Sequence, residues 1–223
     1  MFALNNTVEA IMDINKDNVR PLRETKFLSL YDLEYAEGRH YFIASRNKSD
    51  DLVCRKDAET IKKDAASAVT IAAILNVAGE ESKLILSYEY RYPVGQFLLS
   101  PPAGLIDPED GTGESALITS TKREMGEELG ITVEDSDTVS ILNPCLYSTP
   151  GMTDESNALM LVELFRDTTP VFSQDNAVGS ELFDGYVLLT KEDAKRILTQ
   201  GCDDKGIYYS VYTWAVMQYF VNR

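Results

Sequence analysis

Two apolar runs, AVTIAAILNVA and KLILSYEYRY, stand either side of the turn letters Gly79-Glu80-Glu81-Ser82 and predict paired strands of a central sheet. Further along, VSILNPCLYST and NALMLVELFR supply strands on either side of the loop PGMTDES, and YVLL, within Glu181 to Leu189, offers a last one. Nearer the start, KFLSLYDLEY and YFIAS are rich in aromatic and apolar letters and are joined through a turn at Glu37-Gly38, which reads as a two-stranded ribbon. Such a ribbon needs a partner surface. Residues 47 to 65 are polar with short apolar interruptions and mark the boundary between two unequal parts. Leu117, Thr121, Met125 and Leu129 recur every fourth residue and give a helix a core-facing stripe, and Gly130 supplies its stop. Two more helices are expected at the end, Lys191 to Thr199 behind Thr190 as a cap, and Ile207 to Val221. No internal repeat and no low-complexity tract interrupts this order.

The helix with the apolar stripe reads REMGEELGI over 123 to 131 and carries Glu124, Glu127 and Glu128. At 100° per residue the three fall within an arc of roughly 100°. Like charges so close repel unless a cation sits over them, and hard divalent ions favour carboxylate oxygens. The plain alternative is a solvated acidic face.

Sequence upstream favours the first reading. The stretch PPAGLIDPEDGTGESALITSTKREMGEELGI resembles the Nudix hydrolase signature, G-x5-E-x7-R-E-U-x-E-E-x-G-U with U apolar, and Arg123 to Ile131 matches every specified position. The first half departs from it. Counting five residues on from Gly104 reaches Asp110, while counting seven back from Arg123 reaches Ser115, with Glu114 one place too early. Either the loop is longer and Ser115 caps the helix, or Glu114 keeps its role and a π-bulge absorbs one residue. The departure touches the first glutamate, which in the family braces loop and helix, and leaves the metal carboxylates alone.

The resemblance implies a Nudix α/β/α sandwich with a mixed sheet and a small antiparallel N-terminal β extension. Residues 1–55 would be that extension and 56–223 the hydrolase domain. Within the superfamily the chain resembles ADP-ribose and ADP-sugar pyrophosphatases, through FLSLYDLEY...RHYFIASR, YEYRYPVGQFLLSPPAG and STPGMTDES in addition to the signature. That resemblance implies a role for each matching residue. Glu124, Glu127, Glu128 and the backbone carbonyl of Ala103 would hold Mg²⁺ or Mn²⁺, with Glu127 also counted among the catalytic residues. Arg123, counted with them, would brace the loop. Glu181, in AVGSELFD, would be the loop acid that binds metal or activates water, with Asp184 as competitor. Arg91 and Arg46 would bind the substrate's phosphates, as suits a guanidinium forking onto phosphate oxygens, although Arg91 could instead form a surface ion pair with Glu89. Leu105 would line the substrate site. Phe27 and Tyr41 would sandwich adenine, and Thr149, Pro150, Gly151 and Glu155 would contact the terminal ribose. The N-terminal piece would swap across a homodimer. The reaction would be Mg²⁺-dependent hydrolysis of the pyrophosphate in ADP-ribose or a related ADP-sugar to AMP and a sugar phosphate. A UDP- or GDP-sugar, a dinucleoside polyphosphate, or a non-catalytic ADP-ribose sensor is the alternative.

Composition bounds the rest. With 223 residues, 44% of them hydrophobic, the chain can bury one sizeable core and a small addition. A net charge of −15 argues against gripping nucleic acid and would repel a nucleotide unless metal and a few arginines reverse the local field. No apolar run approaches the roughly 20 residues that span a bilayer, and MFALNNTVEA lacks the pattern of a signal peptide, so a soluble cytoplasmic protein without a membrane partner is expected. Cys54, Cys145 and Cys202 show no CxxC spacing, and with His40 as the single histidine a zinc site is not expected. The GTG at 111 to 113 lacks the third glycine of a dinucleotide loop, and DPEDGTGE lacks the ligand spacing of a calcium loop.

Overall fold

Hairpin geometry organises the first part of the chain. The computed structural model describes residues 14–15, 17–64, 66–177 and 181–223, so the start of the expected N-terminal extension, including MFALNNTVEA, lies outside the described residues. Strands β1 (Val19–Glu24), β2 (Ser29–Ala36) and β3 (Arg39–Ser45) form an antiparallel sheet in that order. The ribbon of β2 and β3 turns at Gly38, whose positive φ of 67° suits the missing side chain. The third strand, β1, was not legible as a strand because it carries no apolar alternation. It is an edge strand, exposed along almost its whole length and held by backbone pairing, where Pro21 is tolerated. Tyr31, Leu33, Ile43 and Leu52 make a small core beneath this sheet. The polar stretch that follows holds two 3₁₀ turns and the short helix α1 (Ala58–Lys63), capped by Asp57, whose carboxylate accepts from the Thr60 amide. The first of two compact units consists of the chain up to Asp64 together with Thr149–Glu155.

The second unit takes Ala65–Ser148 and Ser156–Arg223. Its seven strands are β4 (Ala68–Val77), β5 (Lys83–Arg91), β6 (Gln96–Ser100), β7 (Ala103–Leu105), β8 (Thr138–Tyr147), β9 (Ser156–Arg166) and β10 (Phe183–Leu189). They run in the order β10-β5-β4-β9-β8, with β6 added to β5 and β7 to β4. Among the described residues of this sheet the central β4–β9 pair alone is parallel, so the sheet is mixed. Helix α2 (Gly113–Leu129) covers one face, and α3 (Lys191–Gln200) and α4 (Val211–Asn222) belong to the other. Alternation along β4 sorts its residues between the two layers: Ile71, Ala73 and Leu75 pack with Leu117, Met125 and Leu129, whereas Ala72 and Ile74 pack with Ile197, Val216 and Phe220. The result is an α/β/α sandwich.

Helix ends follow side-chain chemistry. Thr190 and Asp193 form a capping box for α3, with Thr190 the cap that the sequence predicts. Helix α4 starts four residues later than expected, because Asp203 Oδ1 accepts from the amides of Lys205 and Ile207 and holds a turn there, and Ser210 then caps the helix. Helix α2 starts at Gly113 behind Thr112 and runs without a π-bulge. Ser115 is therefore inside its first turn, donating to the Thr112 carbonyl at 2.8 Å.

Candidate active site

The C-terminal half of α2 presents its acids inward. Glu124 and Glu128, one turn apart, are 3% and 2% exposed, so the acidic face is not solvated. Burial pushes the Glu124 carboxyl up to about 7, with Glu127 and Glu181 adding to the effect and Arg123 opposing it. Burial and then Glu89 push Glu128 well above the usual carboxylate range. Gly130 ends the helix in the left-handed region at φ 66°, its amide returning to Gly126 and Met125.

Arg123 ties this helix to the loop before it. Its Nη1 donates to Glu124 at 2.7 Å and Glu127 at 2.9 Å, and its Nη2 donates to the Leu105 carbonyl at 2.8 Å and to Asp110 at 3.0 Å. The guanidinium therefore reaches the acids as well as the loop. Burial works against its charge, and Asp110, Glu124 and Glu127 outweigh that penalty. Asp110 is a residue to which the sequence pattern alone gives no role. It is 7% exposed, forms a capping box with Asp107, and is held below the usual carboxylate range because its bonds from Arg123 overcome burial. It occupies the place of the signature's first glutamate counted forward from Gly104, and twelve residues rather than seven separate it from Arg123. Glu114 lies exposed at the helix start.

Strand β7 lies against the acids. A β-carbon on Gly104 would fall 1.9 Å from Oε1 of Glu124, so only glycine lets the backbone approach that carboxylate. The Ala103 amide donates to Glu128 at 3.3 Å. Among the described residues no three His, Cys, Asp or Glu side chains stand in metal-ligating positions, with Glu124 and Glu127 both turned onto Arg123. The donor set suits a hard divalent ion all the same. Two buried carboxylates and a third beside them, packed on a strand whose backbone approaches through a glycine, offer oxygen ligands and a surplus of negative charge.

The end of β5 adds charges to this face. Glu89, 7% exposed, pairs with Arg91 at 2.5 Å, and burial carries its carboxyl up to about 7, Arg91 opposing and Glu181 reinforcing. The sequence signal for Glu89 was an acid inside an apolar strand. Glu181 acts electrostatically on Glu89, Glu124 and Glu128, whereas its competitor Asp184 is exposed and pairs with Lys205 at 3.2 Å. Residues 178–180 of that loop lie outside the described residues. Leu105 is 43% exposed at the end of β7.

The remaining candidates belong to the first unit. Tyr41 Oη donates to the Gly151 carbonyl at 2.7 Å, Arg46 Nε donates to Glu155 at 2.5 Å, and the Ala44 amide donates to the Met152 carbonyl at 2.9 Å. Asp154 accepts from Asn47 and from the Val53 amide. Within the loop, the Thr149 carbonyl accepts from Met152 and Thr153, with Pro150 and Gly151 exposed at the turn. Tyr41, Arg46 and the loop Thr149–Glu155 are thus one structural group. Phe27 is not part of it. It stands 69% exposed between β1 and β2 with Lys26 over its ring, while Tyr41 pairs with Leu33. His40 bonds the buried Asp32 at 2.7 Å, and the three cysteines are unpaired.

No family model matches the chain. Over 147 residues it is 30% identical to a putative nudix hydrolase 2 of Caenorhabditis elegans, covering 64% of this chain and 60% of the relative. Over 99 residues it is 32% identical to an uncharacterized Nudix hydrolase of Schizosaccharomyces pombe, covering 44% of this chain and 42% of the relative. The chain is related to the Nudix hydrolases. It spans less than two thirds of the length of these curated relatives. A crystal structure of an ADP compounds hydrolase covers 96% of the chain and is itself covered to 95%, with a TM-score of 0.56 and 17% identity, a likeness of fold. The mixed sheet between helices and the antiparallel N-terminal sheet are the fold that the sequence leads one to expect. Among the described residues no helix is long and apolar enough to cross a membrane.

Proposed function

We propose that the protein is a Mg²⁺-dependent diphosphatase that hydrolyses the pyrophosphate of ADP-ribose or a related ADP-sugar to AMP and a sugar phosphate, with Mn²⁺ as a substitute ion. The observation that carries the reading is the burial of Glu124 and Glu128 beside Glu127, with Gly104 pressed against Glu124. Buried carboxylates at this density cost stability, and a bound cation offsets the cost.

Glu124, Glu127, Glu128 and the Ala103 carbonyl would hold the ion. When bound, it supplies charge neutralisation for the diphosphate and a lowered pKa for the attacking water. Arg123 anchors the helix to the Leu105 carbonyl and Asp110, which keeps Glu124 at the strand. Arg91 offers its remaining N–H groups to phosphate oxygens. On the resemblance, Glu181 is the acid that takes a proton from water, and its electrostatic action on Glu124 and Glu128 supports that role. In the first unit, Arg46, Phe27, Tyr41 and the turn from Thr149 to Glu155 are proposed, on the resemblance, to recognise the nucleotide and terminal ribose. A homodimer and a cytoplasmic location belong to the same reading.

The test is a mass-resolved product analysis with ADP-ribose and Mg²⁺ in ¹⁸O-labelled water. AMP and a sugar phosphate, one of them carrying the label, are expected. Absence of turnover with every ADP-sugar, beside strong turnover of another nucleoside diphosphate derivative, would move the substrate elsewhere in the class.

A further inference from the structure

Residues 87, 89 and 91 of β5 share the sheet face that carries Ile85 toward α2. Two of them form a pair, with Arg91 Nη2 at 2.5 Å from Glu89 Oε2. The partners differ in exposure, the arginine side chain being 44% exposed and the glutamate 9%. The ion pair with Glu89 that the sequence allows as an alternative is thus formed, with its glutamate buried. The backbone at this point is also fixed. Phe183 of β10 pairs with Glu89, the Tyr90 amide donates to the Leu182 carbonyl at 2.8 Å, and the amides of Val94 and Gly95 close a turn on the Arg91 carbonyl.

As a source of stability the pair is poor. Glu89 is buried within electrostatic reach of Glu128 and Glu181, two charges of its own sign, and one half-exposed guanidinium repays only part of that cost. What the pair does provide is geometry. An arginine side chain has several rotatable bonds, and leaving it free would charge the cost of ordering to every binding event. One anchored nitrogen narrows the range the guanidinium can sweep, and its other N–H groups remain available for an oxyanion.

We infer that Glu89 is a positioning residue that holds the guanidinium of Arg91 on the sheet face toward α2, where it receives a phosphate oxygen of the substrate. The inference rests on the diphosphatase reading. It assigns Glu89 a role through Arg91 and none as a metal ligand.

The experiment measures steady-state kinetics with ADP-ribose for wild type, Glu89→Gln, Arg91→Ala and the double variant. It is paired with Mn²⁺ binding followed by electron paramagnetic resonance in the absence of nucleotide. Glu89→Gln keeps the shape and removes the charge, and is expected to raise KM about tenfold while kcat falls by less. The double variant is expected to be no worse than Arg91→Ala alone, because the two residues act as one unit. Mn²⁺ affinity is expected to change by less than about twofold in Glu89→Gln and to fall more than about tenfold in Glu128→Gln. If Glu89→Gln does not fold, Arg91→Lys serves in its place. Lysine keeps the charge without the fork and is expected to raise KM similarly. Unchanged KM, additive losses, or weakened Mn²⁺ binding in Glu89→Gln each overturn the inference while an active wild type leaves the diphosphatase reading standing. A wild type that hydrolyses no nucleoside diphosphate derivative overturns both.

Discussion

Gly104 and Glu124 approach so closely that a single added methyl on the glycine would lie 1.9 Å from a carboxylate oxygen. The atom in the way is the far end of a flexible side chain, so the fold can accommodate Gly104→Ala by swinging Glu124 aside. That movement takes Glu124 away from Arg123 Nη1, 2.7 Å distant, and from its place among the other acids. The expected outcome is a modest loss of stability, about 1–3 kcal/mol, with kcat reduced by about two orders of magnitude. Thermal melts and turnover of the same preparation check both halves, and a mutant with normal kcat would remove Glu124 from the metal site.

Glu128→Gln separates charge from shape. The residue is 2% exposed and accepts the Ala103 amide, a bond that a glutamine oxygen can keep. Turnover is expected to fall by orders of magnitude while circular dichroism stays as in wild type. Wild-type turnover in the folded variant would defeat the assignment of Glu128 as a ligand.

A pH dependence of stability comes from the same burial. Glu89 and Glu124 have their carboxyls raised to about 7, and Glu128 is also raised well above the usual range, against about 4.3 for an unfolded glutamate. A raised carboxyl keeps its proton longer in the folded state than in the unfolded one. Its contribution is present below the unfolded value and is lost as pH rises through the folded one. The metal-free protein is therefore expected to melt at a lower temperature at pH 8 than at pH 5.5. Glu124→Gln should flatten that slope, and Mg²⁺ should restore the melting temperature at pH 8. A metal-free protein whose melting temperature rises from pH 5.5 to 8, in parallel with Glu124→Gln, would speak against it.

Local chemistry made most of the second unit readable. The apolar runs of β4 and β5 announce buried strands, the fourfold spacing from Leu117 to Leu129 announces the covered face of α2, and Thr190 announces the start of α3. What escaped depends on relations without a local signal. Strand β1 is polar and exists through pairing with β2. The α4 start is set by Asp203 folding back on Lys205 and Ile207. Asp110 was hidden by the longer segment between it and Arg123, and the grouping of Gly151 and Glu155 with Tyr41 and Arg46 joins residues more than a hundred positions apart.

Asp110 allows the altered spacing to be tested. Its carboxylate accepts from Nη2 of Arg123 at 3.0 Å and is nearly sequestered from water. Asp110→Asn is expected to cost about 1.5–3 kcal/mol, the range for hydrogen bonds to charged groups. Turnover should fall about tenfold, because Arg123 is then held to the loop by the Leu105 carbonyl without the charged partner. Glu114→Gln, at an exposed position, should change neither. Chemical denaturation and kcat together decide. The opposite ranking would return the bracing role to Glu114.

In the first unit, Tyr41→Phe deletes one hydroxyl and the 2.7 Å bond to Gly151. A neutral hydrogen bond of this kind contributes about 1 kcal/mol, so the melting temperature should drop by about 2–4 °C. The turn from Thr149 to Glu155 keeps its other links, through Arg46, Asn47 and the Ala44 amide, and should stay folded but looser at Gly151. If that turn receives the terminal ribose, KM for ADP-ribose should rise about three- to tenfold with kcat little changed, since the lost order is repaid on binding rather than in the chemical step. A lowered melting temperature with KM unchanged would make Tyr41 a structural residue of its unit and release the turn from substrate recognition.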